Sequence, residues 1–133
     1  MGMTYTIALP IADRRAARDF YTAALGLEPF GPPGGDGIPE PLQFALAGGV
    51  SLMLIPTGGF GWVVGEGRPA EPGRSECLLS IVTADVDAAV ERAHAAGALI
   101  VAEPAQQSWG YAATFEDPDR HLWMILRPDE PRF

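Results

Sequence analysis

The sequence predicts an α+β fold made of two tandem βαβββ modules, and the prediction rests on a repeated order of signals. A short apolar strand runs twice into Ala-Asp, first at Asp13 and again 72 positions later at Asp85. An alanine-rich stretch follows each Asp and leads to a glycine, Gly26 or Gly97. Asp before such a stretch and glycine after it are the expected N-cap and C′ residues of a helix. Three further strand-like segments follow each helix, so both halves read βαβββ.

Apolar and β-branched runs mark the strands, and helical spacing marks the inward face of each helix. The strand segments of the first half are TIALPI at 6–11, LEPF at 27–30, LQFALAG at 42–48 and VSLMLIP at 50–56. Those of the second half are LLSIV at 78–82, LIVAE at 99–103, YAATFE at 111–116 and HLWMILR at 121–127. The helix residues expected to lie on a sheet are Ala16, Ala17, Phe20, Tyr21 and Ala24, then Val86, Ala89, Val90 and Ala93.

The 133 residues fit a single domain. Module one is expected at about residues 1–57, a linker loop at 58–74 and module two at about 75–128. The linker is rich in Gly and Pro but lacks the G-x-G-x-x-G or Walker spacing of a phosphate-binding loop. Loops of this length are often lids or binding segments, which makes Phe60 and Trp62 candidate ligand contacts. The alternative is a crossover whose aromatics simply pack down.

Charge and composition exclude several functions. Nine arginines and no lysine stand against seventeen acids, and the net charge of -8 opposes nucleic acid and anionic membranes but attracts a cationic small molecule. Without lysine there is no Schiff-base chemistry. The single Cys77 is expected to be a small buried hydrophobe in a reducing compartment. No membrane span or signal-peptide pattern is visible, which predicts a cytoplasmic protein.

Residues 114–126, TFEDPDRHLWMIL, contain three carboxylates and His121, and so raise the question of a metal site. Asp117-Pro118-Asp119 has the chemistry of a turn, because Asp accepts hydrogen bonds from the backbone ahead of it and Pro fixes φ. His121 shares strand parity with Trp123 and has parity opposite to Met124. We therefore expect the acids to form the turn and His121 to point away from the wall that Met124 joins.

Two patterns together resemble the vicinal oxygen chelate superfamily, the group of glyoxalases, bleomycin resistance proteins and extradiol dioxygenases. They are the order Asp13, Phe20, Tyr21, Leu25, Gly26 and the D-P-D-x-H-x-W ending at residues 117–123. The resemblance covers nearly the whole chain. It implies that the modules form a cupped mixed sheet around a central cavity with the helices outside. It also implies that metal-dependent members hold a divalent ion with His, Gln or Glu on the first and last strands of each module.

The resemblance places the four possible ligand positions at residues that are poor metal donors. The first-strand position lies seven residues before each capping Asp, at Thr6 and Leu78. The last-strand position directly follows Trp123, at Met124, and the offset of 72 carries it back to Leu52. Three apolar residues and one hydroxyl offer a divalent ion little. The sequence therefore predicts no metal, no cofactor and an apolar cavity floor.

Two departures leave alternatives open. In the family that this chain resembles, most members have a Gly in the left-handed conformation at the position of Arg120. A different turn at Arg120 could shift the register of the following strand by one residue. Such a slip would turn His121 inward and Met124 outward. Glu76 shares parity with Leu78 and could reach a cavity rim, although a strand-edge acid is the simpler interpretation.

The first functional hypothesis is a metal-free binding protein for a small molecule, such as a cationic drug, in the manner of bleomycin resistance proteins. Aromatic side chains give contact area and attract cations. The residues expected to line the ligand are Thr6, Phe44, Leu52, Phe60, Trp62, Leu78, Trp109, Tyr111 and Met124. The expected partners are a small molecule and, as the resemblance implies, a second copy in a homodimer, with neither nucleic acid nor membrane.

The second hypothesis is a metal-dependent lyase or extradiol-type dioxygenase acting on a substrate with vicinal oxygens. It needs two or three His or Glu ligands. The sequence offers His121, Glu76 and Glu116, none at the expected places, so the balance is against an enzyme. A third hypothesis is a domain without chemistry that binds a protein partner through an exposed apolar patch.

Overall fold

The computed structural model describes residues 3–129 and divides the chain into two compact units. One unit runs to Ala70 and the other begins at Glu71, while Ala23–Leu25 group with the second unit. Each unit contains one four-stranded mixed sheet. No helix within the described residues is long and apolar enough to cross a membrane.

The first half of the chain forms four strands and two helices. In order they are β1 (Tyr5–Ile11), α1 (Arg14–Leu25), β2 (Pro29–Phe30), β3 (Leu42–Ala45), β4 (Val50–Pro56) and α2 (Thr57–Val64). The strand order across the sheet is β1-β4-β3-β2. β1 runs parallel to β4, and the β4–β3 and β3–β2 pairs are antiparallel.

The ends of α1 confirm the predicted caps. Asp13 has an extended backbone, and its carboxylate accepts a hydrogen bond from the Arg15 amide at 2.9 Å. Gly26 takes the left-handed conformation with φ 68°, and its amide donates to the Thr22 carbonyl at 3.0 Å. Glycine adopts the left-handed conformation at little cost, so α1 ends at the glycine that the sequence predicted.

The core of the first unit lies between α1 and one face of the sheet. Its sheet residues are Leu9, Ile11, Leu42, Phe44, Leu52 and Leu54, and its α1 residues include Ala17, Phe20 and Tyr21. The rings of Tyr21 and Phe44 lie 5.9 Å apart between centroids and join the two layers. Ala16, predicted to face the sheet, is exposed instead. Phe20 and Tyr21 follow Ala17 by three and four residues, the spacing of one helix face. The buried face of α1 therefore includes Ala17 and not Ala16.

The second half repeats the arrangement with a four-stranded sheet and one helix packed on it. They are β5 (Leu79–Val82), α3 (Val86–Ala95), β6 (Leu99–Gln107), β7 (Gly110–Glu116) and β8 (Leu122–Pro128), in the sheet order β5-β8-β7-β6. Asp85 caps α3 by accepting from the Ala88 amide at 3.0 Å, as predicted. The core contains Val86, Val90 and Ala93 of α3 and the stacked rings of Phe115 and Trp123, 6.3 Å apart.

The α+β fold with two mixed four-stranded sheets confirms the predicted class, but the linker differs from the prediction. Residues 57–64, most of which were assigned to the loop at 58–74, form α2. This helix contains Gly58, Gly59 and Gly61 and follows β4 without a break. Glycine is a poor helix former, so local propensity gave no helical signal.

Candidate functional site

Each sheet has one face packed against a helix, α1 in the first unit and α3 in the second. The opposite face of each sheet is here called the far face. On β4, Leu52 and Leu54 are buried on the helix side, whereas Ser51 and Met53 point to the other side. Strand pairing sets Thr6 beside Ser51, Ala8 beside Met53, and Gln43 opposite Met53. The far face of the first sheet therefore contains Thr6, Ala8, Gln43, Ala45, Ser51 and Met53.

The structure corrects the predicted position of Leu52. Leu52 is 0% exposed on the helix-packed face, opposite to the face of Thr6, and its pair Phe44 is likewise 0% exposed. Met124 pairs with Ser80, and the equivalent pair in the first sheet is Met53 with Ala8. Ser80 follows Ala8 by 72 positions, but Met124 follows Met53 by 71. The second half has one residue fewer between its N-cap Asp and the glycine that follows the helix. A one-residue change exchanges the two faces of a strand.

The second sheet shows the parity that the sequence predicted. Trp123 and Ile125 are buried on the α3 side, while Met124 lies on the other face between Ser80 and Thr114. The residues of this far face on β5, β7 and β8 include Ser80, Val82, Ala112, Thr114, Glu116, Leu122, Met124 and Leu126. Thr114 and Met124 form the centre of the face and are half-buried.

The DPD segment forms the predicted turn. The buried Asp117 carboxylate accepts hydrogen bonds from the amides of Asp119 at 2.9 Å and His121 at 2.8 Å. Arg120 adopts φ 68°, the left-handed conformation that glycine would take at this corner. Because Arg120 accepts that conformation, the register does not slip, and Trp123 pairs with Phe115.

Glu116 stands at the end of β7 on the far face of the second sheet. It pairs with Leu122 on one side and Leu99 on the other. Its side chain is 12% exposed, and Arg120 Nε lies 3.5 Å from its Oε1. From the sequence, Glu116 is a candidate only as a metal ligand of the enzyme hypothesis. The signal for its place on this face is its parity with Thr114, two residues earlier.

Tyr111 lies on the helix-packed face, not with Met124. Its hydroxyl donates to Asp87 Oδ1 of α3 at 2.8 Å, and the Arg127 guanidinium carbon lies 4.9 Å from the ring centroid. The hydrogen bond to Asp87, with some burial, raises the pKa of the phenol above its usual value. Tyr111 therefore links β7 to α3, and its cation–π partner is a residue of the same chain.

The remaining predicted contacts lie outside the sheet faces. Phe60 and Trp62 belong to α2, where Phe60 is half-buried and Trp62 is 83% exposed. Trp109 is exposed in the turn between β6 and β7, and Leu78 is exposed directly before β5. Cys77 is exposed as well, which corrects the prediction of a buried hydrophobe. The segment that precedes β5 lacks strand partners, so apolarity alone did not bury it.

Within residues 3–129, no group of three His, Cys, Asp or Glu side chains is placed to hold a metal ion. With Met53 in place of Leu52, the four positions at which the family resemblance implies metal ligands hold Thr6, Met53, Leu78 and Met124. A hydroxyl, two thioethers and a hydrocarbon do not match the imidazole and carboxylate donors that hold divalent ions such as zinc and iron. The residues present do not fit such an ion.

Comparisons with known proteins agree with this architecture. The family model described as Glyoxalase/Bleomycin resistance protein/Dioxygenase superfamily matches residues 5–125. A comparison with curated protein sequences found no match.

Three solved structures illustrate the likeness. A hypothetical protein from S. aureus is 25% identical with a TM-score of 0.76, over 95% of this chain and 92% of that one. TnmS3, an antibiotic binding protein from Streptomyces sp. CB03234, is 25% identical with a TM-score of 0.68, over 97% and 98%. A glyoxalase-related enzyme from Fulvimarina pelagi, 23% identical with a TM-score of 0.78 over 96% and 88%, shares the fold.

Proposed function

Because the chain belongs to the glyoxalase/bleomycin resistance protein/dioxygenase superfamily, we propose that it is a small-molecule binding protein that works without a metal ion. The proposal is supported by the side chains at the four positions where the family resemblance implies metal ligands, which are Thr6, Met53, Leu78 and Met124. Thioether sulfur favours soft ions such as Cu(I), and a neutral hydroxyl is a weak donor. We therefore assign no metal to these positions.

The far faces offer the chemistry of a ligand site instead. Small-molecule sites combine apolar surface with a few polar groups that fix orientation. Met53 and Met124 supply flexible, polarizable apolar surface at the centre of the two faces. On the second sheet the hydroxyl residues Ser80 and Thr114 flank Met124. On the first sheet the pair Thr6 and Ser51 lies two residues along the strands from Met53. An apolar, planar molecule with hydrogen-bonding edges suits the residues of either face.

The similar structures support a binding role. TnmS3 is an antibiotic binding protein, and its likeness to this chain extends over nearly the full length of both. A further structure from the same organism, a glyoxalase/bleomycin resistance protein, is also 25% identical, with a TM-score of 0.62. Since one scaffold carries many activities, the chemistry of the lining residues bears most of the weight.

Elemental analysis tests the metal-free part of the proposal. Untagged protein is purified without chelators, then dialysed against excess Fe²⁺, Zn²⁺, Ni²⁺ or Mn²⁺ and against buffer. We expect far less than one ion per chain under every condition. One tightly held ion per chain would contradict the proposal and favour the metal-dependent lyase or extradiol-type dioxygenase.

Ligand binding is tested by thermal-shift screening of planar aromatic compounds, followed by titration of the hits. Met124→Ala should weaken the affinity for a hit about tenfold, because it removes apolar contact of more than 1 kcal/mol. Met3→Ala, which truncates an exposed methionine ahead of β1, is the matched control and should leave the affinity unchanged. No hit from the screen, or equal losses in both variants, would count against a site on the far face.

The proposal extends to the oligomer and the compartment. We propose a homodimer, as the family resemblance implies, in the cytoplasm. Sedimentation velocity should then give twice the 14.1 kDa mass of the chain. A single species at 14.1 kDa at micromolar concentration would refute the dimer and leave the binding proposal intact.

A further inference from the structure

We propose that the ligand carries a positive charge and that the Glu116 carboxylate binds it. This inference rests on the proposed binding function and adds the ligand's charge class and the residue that selects it. Among the six residues of the far-face pairs Ala112–Leu126, Thr114–Met124 and Glu116–Leu122, only Glu116 is charged. A carboxylate set into an apolar strand face has an electrostatic cost that an incoming cation relieves.

Glu116 is largely buried but weakly neutralised. Its side chain is 12% exposed, whereas that of Arg120 is 55% exposed. The Arg120 Nε to Glu116 Oε1 distance of 3.5 Å exceeds the roughly 2.7–2.9 Å of a strong charge-assisted hydrogen bond. Arg120 also directs Nη1 towards the Pro72 carbonyl at 3.5 Å. A pair of this length whose arginine lies in solvent is worth little, so the carboxylate keeps most of its capacity to bind a cation.

The strand spacing fixes where the charge of the ligand must lie. Glu116 and Thr114 are two residues apart on β7, and Thr114 pairs with Met124. Two residues of a strand span about 7 Å. A ligand whose apolar body covers Met124 would thus reach Glu116 with a basic group about 7 Å from the centre of that body.

The two sheets differ at this position. Glu116 pairs with Leu122, and the equivalent pair in the first sheet is Ala45 with Ser51. Thr6, Ala8, Gln43, Ala45, Ser51 and Met53 on the first far face include no charged residue. Selection by charge is therefore assigned to the second sheet alone, at the end of β7.

The test compares two probes of the same shape, a naphthalene carrying a propylammonium chain and the matching naphthyl propanol, by titration calorimetry. The wild type should bind the amine more tightly than the alcohol. Glu116→Gln should weaken amine binding about tenfold or more, as loss of a charge-assisted hydrogen bond predicts, and leave alcohol binding unchanged. Arg120→Ala should strengthen amine binding, since it removes the competing cation.

Controls separate this inference from the proposed function. Glu91→Gln removes the same charge from an exposed position on α3 and should change neither affinity. Glu116→Asp keeps the charge and should keep the preference for the amine. Equal amine affinity in the wild type and Glu116→Gln, with both probes still bound, would overturn the inference and leave the binding function standing. Failure of the wild type to bind either probe would overturn both.

Discussion

At Arg120 the backbone holds a φ of 68°, a conformation that disfavours any side chain with a Cβ. Arg120→Gly should therefore raise the free energy of unfolding by about 1 kcal/mol, because glycine adopts this conformation without a penalty. The long contact with Glu116, which the substitution removes, contributes little to stability. Arg120→Ala is the control, since it loses the guanidinium but keeps the backbone penalty. Urea unfolding measures both variants. Equal stability of the two would show that the left-handed conformation costs nothing at this corner.

Asp36 anchors the loop between β2 and β3. The Ile38 amide donates to its carboxylate at 3.0 Å, and Arg14 Nη1 lies 2.9 Å away, so the pKa of Asp36 is held below its usual value, with the Ile38 hydrogen bond as the largest cause. A lowered pKa in the folded state gives stability that is present above the usual Asp range and lost as the pH falls.

The pH dependence of stability tests this role of Asp36. Between about pH 5 and pH 3, the wild type should lose more stability than Asp36→Asn, which has no carboxylate to protonate. Denaturant titrations across that range measure the difference. Glu66→Gln removes the same charge from an exposed site and should follow the wild type. Parallel pH curves for the wild type and Asp36→Asn would refute the role.

At the scale of elements, α2 is the helix with the weakest sequence support. It contains Gly58, Gly59 and Gly61, and no residue in it is buried. A Cβ added at Gly61 would meet nothing within 4 Å, whereas one at Gly59 would lie 3.3 Å from Ile55 Cγ2. Gly61→Ala should stabilise the helix by about 0.5–1 kcal/mol, and Gly59→Ala by less. Amide hydrogen exchange over residues 57–64 reports the change; slower exchange in Gly59→Ala than in Gly61→Ala would contradict it.

Sequence signals predicted elements where a local chemical rule acts and missed them where packing decides. Asp13, Asp85 and Gly26 work through hydrogen bonds and backbone geometry within a few residues, so their roles were readable. The buried Asp117 turn was readable for the same reason. By contrast, α2 forms in spite of its glycines, and Tyr111 lies against α3 because of a partner 24 positions away.

At the scale of the whole molecule, the duplicated order of elements predicted the fold but not the register between its two halves. The second half has one residue fewer between the N-cap Asp and the glycine that follows the helix, and this makes Met53, not Leu52, the equivalent of Met124. The offset of 72 taken from the N-cap Asp residues misses this change, whereas the offset of 71 between Gly26 and Gly97 carries it. Met124 has the predicted parity, opposite to Trp123, so the error is confined to Leu52, which the offset of 72 carried to the wrong face.

The net charge of -8 acts on a ligand at longer range than Glu116 does, and salt separates the two effects. The Debye length falls from roughly 30 Å at 0.01 M salt to about 8 Å at 0.15 M, so added salt screens distant charges before it screens a direct contact. In Glu116→Gln, affinity for the naphthyl amine should still fall as salt rises, because the field of the other acids remains. The affinity of the wild type for the naphthyl amine should fall by a similar factor and stay about tenfold higher than that of Glu116→Gln at every salt concentration. Naphthyl propanol is the control and should bind equally at all salt concentrations. A difference between wild type and Glu116→Gln that vanishes at 0.15 M would assign the preference for cations to the whole molecule and not to Glu116.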